Sequence, residues 1–289
     1  MLLFRPLEPA DFPAVKPFFA LTDSRLCDTT SVLFLWRKHF STEFCLSNGS
    51  LFIKQTYGSP TFMTPIGGDY LAGIEAILAT CRASGLRAIF SVVTEDELSV
   101  LRSRFTVLRA DEMGGWADYL YESRDLIDLP GKRFHGQRNH ISQFDRRYPN
   151  HLFEPLTDMA AARDFLDRFY ARNPPDGELS IAEHSLIYEL LEKYDLYGQV
   201  GGLLTVGGTA ASLSVGEVVG DTLFVHIEKA DTDYVGVYQK TVNLFARAYG
   251  GNTRFINREE DMGIEGLRRS KLSYHPTALL TKYMTELAL

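Results

Sequence analysis

The stretch Gly220–Tyr274, GDTLFVHIEKADTDYVGVYQKTVNLFARAYGGNTRFINREEDMGIEGLRRSKLSY, decides the fold. Leu223 to Lys229 alternates. Leu223, Val225 and Ile227 point one way and Phe224, His226 and Glu228 the other, so a period-two count puts His226 and Glu228 on one face of a strand. From Tyr234 the period lengthens: Tyr238, Val242, Phe245 and Tyr249 mark one side of a helix that Gly250-Gly251 stops. Arg254 to Glu259 is extended again. Strands joined by a helix of this length pair in parallel through a right-handed crossover, which brings their carboxyl ends to one sheet edge. That edge gathers His226, Glu228 and Lys229 with Asn257, Arg258, Glu259 and Asp261, in the crevice where open α/β sheets bind ligands.

Working outward, the second half reads as helices over Met159–Tyr170 and Ala182–Tyr194, a hairpin turning at Gly207-Gly208, the strand–helix–strand unit above, a helix, and a last strand over Ala278–Met284. The first half has the same order. Short helices over Glu8–Ala20 and Ser31–Lys38 lead to a hairpin at Asn48-Gly49 and a strand over Thr61–Ile66. A helix capped by Asp69 and stopped at Gly85, a strand over Leu86–Val93 and a helix capped by Thr94 follow, then two extended segments to Tyr121. The repeated order predicts an α/β (α+β) fold of two tandem domains, residues 1–124 and 151–289, each a mixed, mainly antiparallel sheet flanked by helices. Residues 125–150 connect them. Where the second half has Asn257-Arg258-Glu259, the first has Ser91-Val92-Val93, so the ionisable site is expected in the second half only.

A net charge of −7 argues against bulk, non-specific nucleic-acid binding. A local exception is Leu129–Tyr148, LPGKRFHGQRNHISQFDRRY, which sets five lysines and arginines against the single acid Asp145. The three cysteines, Cys27, Cys45 and Cys81, lie too far apart for a zinc motif or redox pair and read as buried thiols in a reducing cytoplasm. No secretion signal is visible in MLLFRPLEPADF, and the apolar run SVLFLW from Ser31 is far too short to cross a bilayer. No metal motif, P-loop or serine-centred nucleophile elbow occurs.

Three segments carry a family resemblance: DLIDLPGKRFHGQRNHISQF from Asp125, HIEKADTDYVGVYQ from His226, and FINREEDMGIEGLRRSKLSYHP from Phe255. The chain resembles the bacterial family built on the C-terminal catalytic domain of phosphatidylglycerol lysyltransferase. The resemblance implies tandem GNAT-like domains that move an aminoacyl group from a charged tRNA, or an acyl group from acyl-CoA, to a small amine- or hydroxyl-bearing acceptor. Coenzyme A-binding GNATs hold pyrophosphate on a loop of the type Gln/Arg-x-x-Gly-x-Gly/Ala at a helix N-terminus. Here the corresponding segment runs Asp233-Tyr-Val-Gly236-Val-Tyr238, opened by an acid and closed by a bulky ring.

Acyl transfer needs a base for the attacking atom and donors for the developing oxyanion. Glu228 or His226 could be that base, and Asn257 and Arg258 could orient the carbonyl or a donor phosphate. Tyr234, Gly236 and Tyr238 are candidates to cradle the donor, and Lys132, Arg133 and Arg138 to hold phosphates of a tRNA or nucleotide. Glu259 and Asp261 could receive a substrate ammonium, and Lys271 and Tyr274 fall inside the most specific segment. The competing structural readings are a hydrogen-bonded strand histidine at His226 with Glu228 paired to Lys229 or Arg258, an Arg258–Glu259 ion pair, a plain turn at Gly236 and a solvated basic helix. Two other functions stay open: a non-catalytic ligand- or RNA-binding module on a decayed scaffold, and an acetyl-CoA-dependent N-acetyltransferase.

Overall fold

The computed structural model describes residues 1–22 and 25–289. It resolves into two compact units, one of Met1–Asp118, Glu260–Ile264 and Leu279–Leu289, the other of Tyr119–Glu259 and Glu265–Ala278.

In the first unit the strands are β1 (Arg5–Pro6), β2 (Glu43–Ser47), β3 (Ser50–Tyr57), β4 (Ser59–Phe62), β5 (Ala88–Val93) and β6 (Val107–Glu112). The helices are α1 (Phe12–Phe19), α2 (Val32–Leu35), α3 (Tyr70–Ser84) and α4 (Glu95–Arg104). Local chemistry sets most of these bounds. Asn48 and Gly49 take left-handed φ of 50° and 75°, which matches the twist of the β2–β3 hairpin. Asp69 accepts the Ala72 N–H at the start of α3, Gly85 closes that helix at φ 64°, and Thr94 with Glu97 forms a reciprocal cap on α4. Ile74, Ile77, Leu78 and Cys81 of α3 then pack on Phe52, Phe62 and Phe90 of the sheet. Ser31–Lys38, expected as a helix, keeps only the single turn of α2.

The second unit contains β7 (Asp118–Glu122), β8 (His151–Pro155), β9 (Val200–Val206), β10 (Thr209–Val219), β11 (Thr222–Ala230), β12 (Phe255–Asn257) and β13 (Ala278–Leu280). Its helices are α5 (Ser123–Asp128), α6 (His135–Arg147), α7 (Met159–Arg172), α8 (Glu178–Glu192), α9 (Tyr194–Tyr197), α10 (Val237–Tyr249) and α11 (Glu265–Leu272). The sheet order is β13-β7-β12-β11-β10-β9-β8, with β11 and β12 parallel. Val242, Phe245 and Ala246 of α10 bury one face of it against Leu223, Val225 and Ile256.

The last strand departs from expectation. It is β14 (Tyr283–Leu287), and it lies in the first sheet, whose order is β1-β2-β3-β4-β5-β14-β6. The same place in the second sheet, beside β12, is taken by β7 from the middle of the chain. A division at residues 124 and 151 therefore misses the return of the C-terminus to the first sheet.

The first unit also buries charge. Lys282, 1% exposed, donates to Glu260 at 2.6 Å and also pairs with Asp28 and with Asp118 at 2.7 Å. The Cys27 thiol donates to Glu260 at 3.1 Å, and the Cys27 N–H to Asp118 at 2.7 Å. Burial, reinforced by Glu260 and Asp28 against the pull of Lys282, lifts the Asp118 carboxyl to about 7.

Candidate active site

β11 and β12 share only three register pairs, ending at Phe224 and Asn257; β11 then runs on to Ala230 with no partner on that side. A split opens there. What lines it depends on a bulge in the neighbouring ladder: Val215 of β10 faces Ile227, but Gly216 faces Val225, so His226 is an extra residue. Only glycine fits at position 216, because an added Cβ would lie 2.0 Å from the Phe224 carbonyl oxygen.

The bulge corrects the period-two reading. Leu223, Val225 and Ala230 face α10, and beyond the extra residue Glu228 joins them, where it also senses Tyr238 of α10. His226 turns to the opposite face. The two residues expected to act together are thus separated by the thickness of the sheet.

On the α10 face, Glu228 accepts from Arg258 Nη2 at 2.8 Å. Arg258 lies with its guanidinium 4.9 Å from the centre of the Tyr274 ring, and its carbonyl oxygen accepts from Lys271 at 2.5 Å. Tyr121, close enough to sense the same cation, donates its hydroxyl to the Lys271 carbonyl at 2.8 Å. Burial alone would ease the proton off Arg258, but Glu228 outweighs it and holds the guanidinium charged. Nη1 of Arg258 is buried and has no hydrogen-bond partner among the described residues. Nor has the hydroxyl of Ser214, fully buried on β10 directly opposite Glu228.

On the other face, His226 Nδ1 donates to Glu259 at 2.6 Å and Nε2 to Glu217 at 3.0 Å. Burial pushes the imidazole down, but the two carboxylates more than offset it, and the ring is held up at about 9 from its usual 6.5. With both nitrogens donating, the ring has no lone pair with which to take a proton. Asn257, expected to orient a carbonyl, uses its side-chain oxygen to accept the Glu259 N–H at 2.6 Å, which holds Glu259 at a left-handed φ of 56°.

Other expected ligands are committed to the chain itself. Asp261 belongs to the first unit and accepts the Gly263 N–H at 2.8 Å, so it caps a turn; Glu259 is held by His226. Lys271 and Tyr274 brace Arg258. At Gly236, φ is 85° and an added Cβ would meet the His140 carbonyl oxygen at 2.5 Å, so α6 packs directly on this glycine. Tyr234 packs on Tyr148 with ring centres 5.3 Å apart, whereas Tyr238 is half-buried near Glu228 and Glu183, its hydroxyl pushed up by burial. Arg133 pairs with Asp125, and Arg138 donates to the carbonyls of Leu129 and Gly131, so both stitch the Leu129–Gly131 turn. Lys132 stays exposed beside Arg124, Asp128 and Pro130 on a shallow groove.

Glu217 and Ser214 were missed from sequence. For Glu217 a signal existed, since a carboxylate inside the apolar run Ser212–Val219 needs a buried cation opposite it.

Two seven-stranded mixed sheets flanked by helices, the second with a split parallel pair, define the class, an α/β fold of two tandem sheet units. The chain belongs to the family described as phosphatidylglycerol lysyltransferase, C-terminal, whose profile matches residues 19–286. A conserved protein of unknown function from Bacteroides thetaiotaomicron is 31% identical over the whole of both chains, with a TM-score of 0.93. The C-terminal domain of a putative lysylphosphatidylglycerol synthetase from Agrobacterium fabrum shares the fold at 15% identity, covering 96% of this chain and 91% of that one, with a TM-score of 0.70. An uncharacterized protein of Mycoplasmoides gallisepticum is 26% identical over 209 residues, 70% of this chain and just under two thirds, 66%, of its own length. Among the described residues, no helix is long and apolar enough to cross a membrane.

Proposed function

We propose that this chain transfers an acyl or aminoacyl group to a small amine- or hydroxyl-bearing acceptor in the split between β11 and β12. One observation carries the reading: Arg258 Nη1, a buried cationic donor with no acceptor of hydrogen-bond geometry among the described residues, stands at the strand ends. A buried donor left unmatched costs roughly 1–3 kcal/mol, more when charged, unless a ligand oxygen completes it. A carbonyl oxygen that gains charge as its carbon becomes tetrahedral is such a ligand.

The acceptor's nitrogen or oxygen adds to the acyl carbon, and Glu228 takes the proton it loses. The intermediate then collapses, the bond to the donor breaks, and the departing oxygen or sulfur recovers a proton. Arg258 stabilises the oxyanion throughout, held in place by Tyr274 and Lys271. A charged tRNA suits the site better than acyl-CoA, since α6 covers the start of α10 at Gly236 and the exposed Lys132 and Arg124 offer phosphates a surface. Family membership supports the same choice.

Thermal shift with charged tRNA, uncharged tRNA, acetyl-CoA and free CoA tests the donor. Charged tRNA should stabilise most. Stabilisation by CoA instead would overturn the assignment, and binding of charged tRNA without transfer to any amine would favour a binding module.

A further inference from the structure

We propose that Glu217 is a positioning residue for this transfer: through His226 it holds Glu259, and so fixes the strand end that aims Arg258 into the split. The inference rests on the transfer reading above. It starts from the ladder. β11 and β12 stop sharing ladder pairs at Phe224 and Asn257, and beyond that point side chains tie them together. One tie, Glu228 to Arg258, lies on the α10 face; the other, His226 to Glu259, lies on the opposite face.

The second tie is the one that sets backbone conformation. Arg258 sits between Asn257 and Glu259, and both neighbours are pinned. The Asn257 side chain takes the Glu259 N–H, the Glu259 carbonyl accepts from Tyr119 N at 3.2 Å, and the Glu259 carboxylate takes the His226 ring. A left-handed glutamate is strained, so it needs such over-determination to persist.

Glu217 makes the ring a clamp. Two carboxylates bond the His226 ring, Glu217 from β10 and Glu259 from the segment after β12. A neutral imidazole carries a single N–H and can donate to only one of the two carboxylates, whereas an imidazolium donates to both. Both contacts are short, so the arrangement calls for the imidazolium. Glu217 touches neither donor nor acceptor; it supplies the second negative charge that keeps the ring protonated and the bridge closed.

The test uses Glu217→Gln in the full chain, which keeps the shape and removes the charge. Ring-nitrogen NMR of the wild type should show both His226 nitrogens protonated at pH 7, with the proton lost near pH 9. In the variant the loss should move down by about one unit or more, and the alkaline limb of kcat should move with it while KM for the donor changes less. Should that variant fail to fold, Glu259→Gln breaks the clamp from the other side and should shift the same limb. A neutral His226 in the wild type at pH 7 overturns the clamp whether or not transfer is observed. A charged ring in a protein that transfers nothing would sink the transfer reading and leave the clamp standing. An unmoved alkaline limb with a shifted ring titration would strip Glu217 of its positioning role.

Discussion

The two sheets carry the same kink and put it to different use. In the first, β5 pairs with its parallel neighbour at Phe90 opposite Phe62, and two residues on Val92 turns left-handed at φ 59°. In the second, the last parallel pair is Asn257 opposite Phe224, and two residues on Glu259 turns at φ 56°. A β-branched valine in that region is a clear outlier, so the kink belongs to the fold and does not by itself mark a site. What surrounds it differs. Beside Val92 the Phe62 and Phe90 rings, 6.5 Å apart, and buried Val93 close the space. Beside Glu259, four charged side chains and an asparagine line both faces of an open split. Strand geometry alone thus does not tell the two apart, and the buried charges do.

The contrast extends to what each unit does with a buried cation. Lys282 in the first unit meets Glu260, Asp118 and Asp28, so it is fully compensated. Arg258 in the second has one carboxylate and an unmatched Nη1. The largest expected effect follows from the compensated one. Lys282→Met should destabilise the protein by about 3–5 kcal/mol in chemical denaturation, because it leaves uncompensated carboxylates in the core. An unchanged midpoint would show that the cluster holds nothing together.

A smaller effect separates packing from ligand binding at Gly236. Gly236→Ala should cost of order 1–3 kcal/mol with no ligand present, from a Cβ forced against the His140 carbonyl oxygen at left-handed φ. If stability holds and only donor binding falls, the start of α10 is a cradle after all.

Local chemistry was readable from sequence, and pairing across the chain was not. The Asn48-Gly49 turn, the Asp69 cap, the Gly85 stop and the Thr94 cap each act within a few residues, and each appears as expected. The strand–helix–strand unit around Gly236 was equally plain, and with it the approach of Glu228 to Arg258. Nothing local told β14 to join the first sheet or β7 to fill the matching place in the second, because edges and partners are chosen by the assembled core. One extra residue at His226 was enough to defeat an alternation count and move Glu228 to the other face. In the basic run 129–148 the roles of the arginines were hidden for another reason. Charge counted along the chain ignores the carbonyls and the carboxylate that Arg133 and Arg138 fold back onto.

The central claim is that transfer happens at the split of the second sheet, on Arg258, and not at its counterpart in the first. Single-turnover transfer from charged tRNA by Arg258→Ala and by Ser91→Ala, both checked for wild-type folding, tests it most directly. The account predicts a loss of roughly 10²- to 10³-fold for the arginine variant, the usual cost of removing one oxyanion donor, and wild-type rates for the serine variant. Full activity in Arg258→Ala, or a comparable loss in Ser91→Ala, would contradict it.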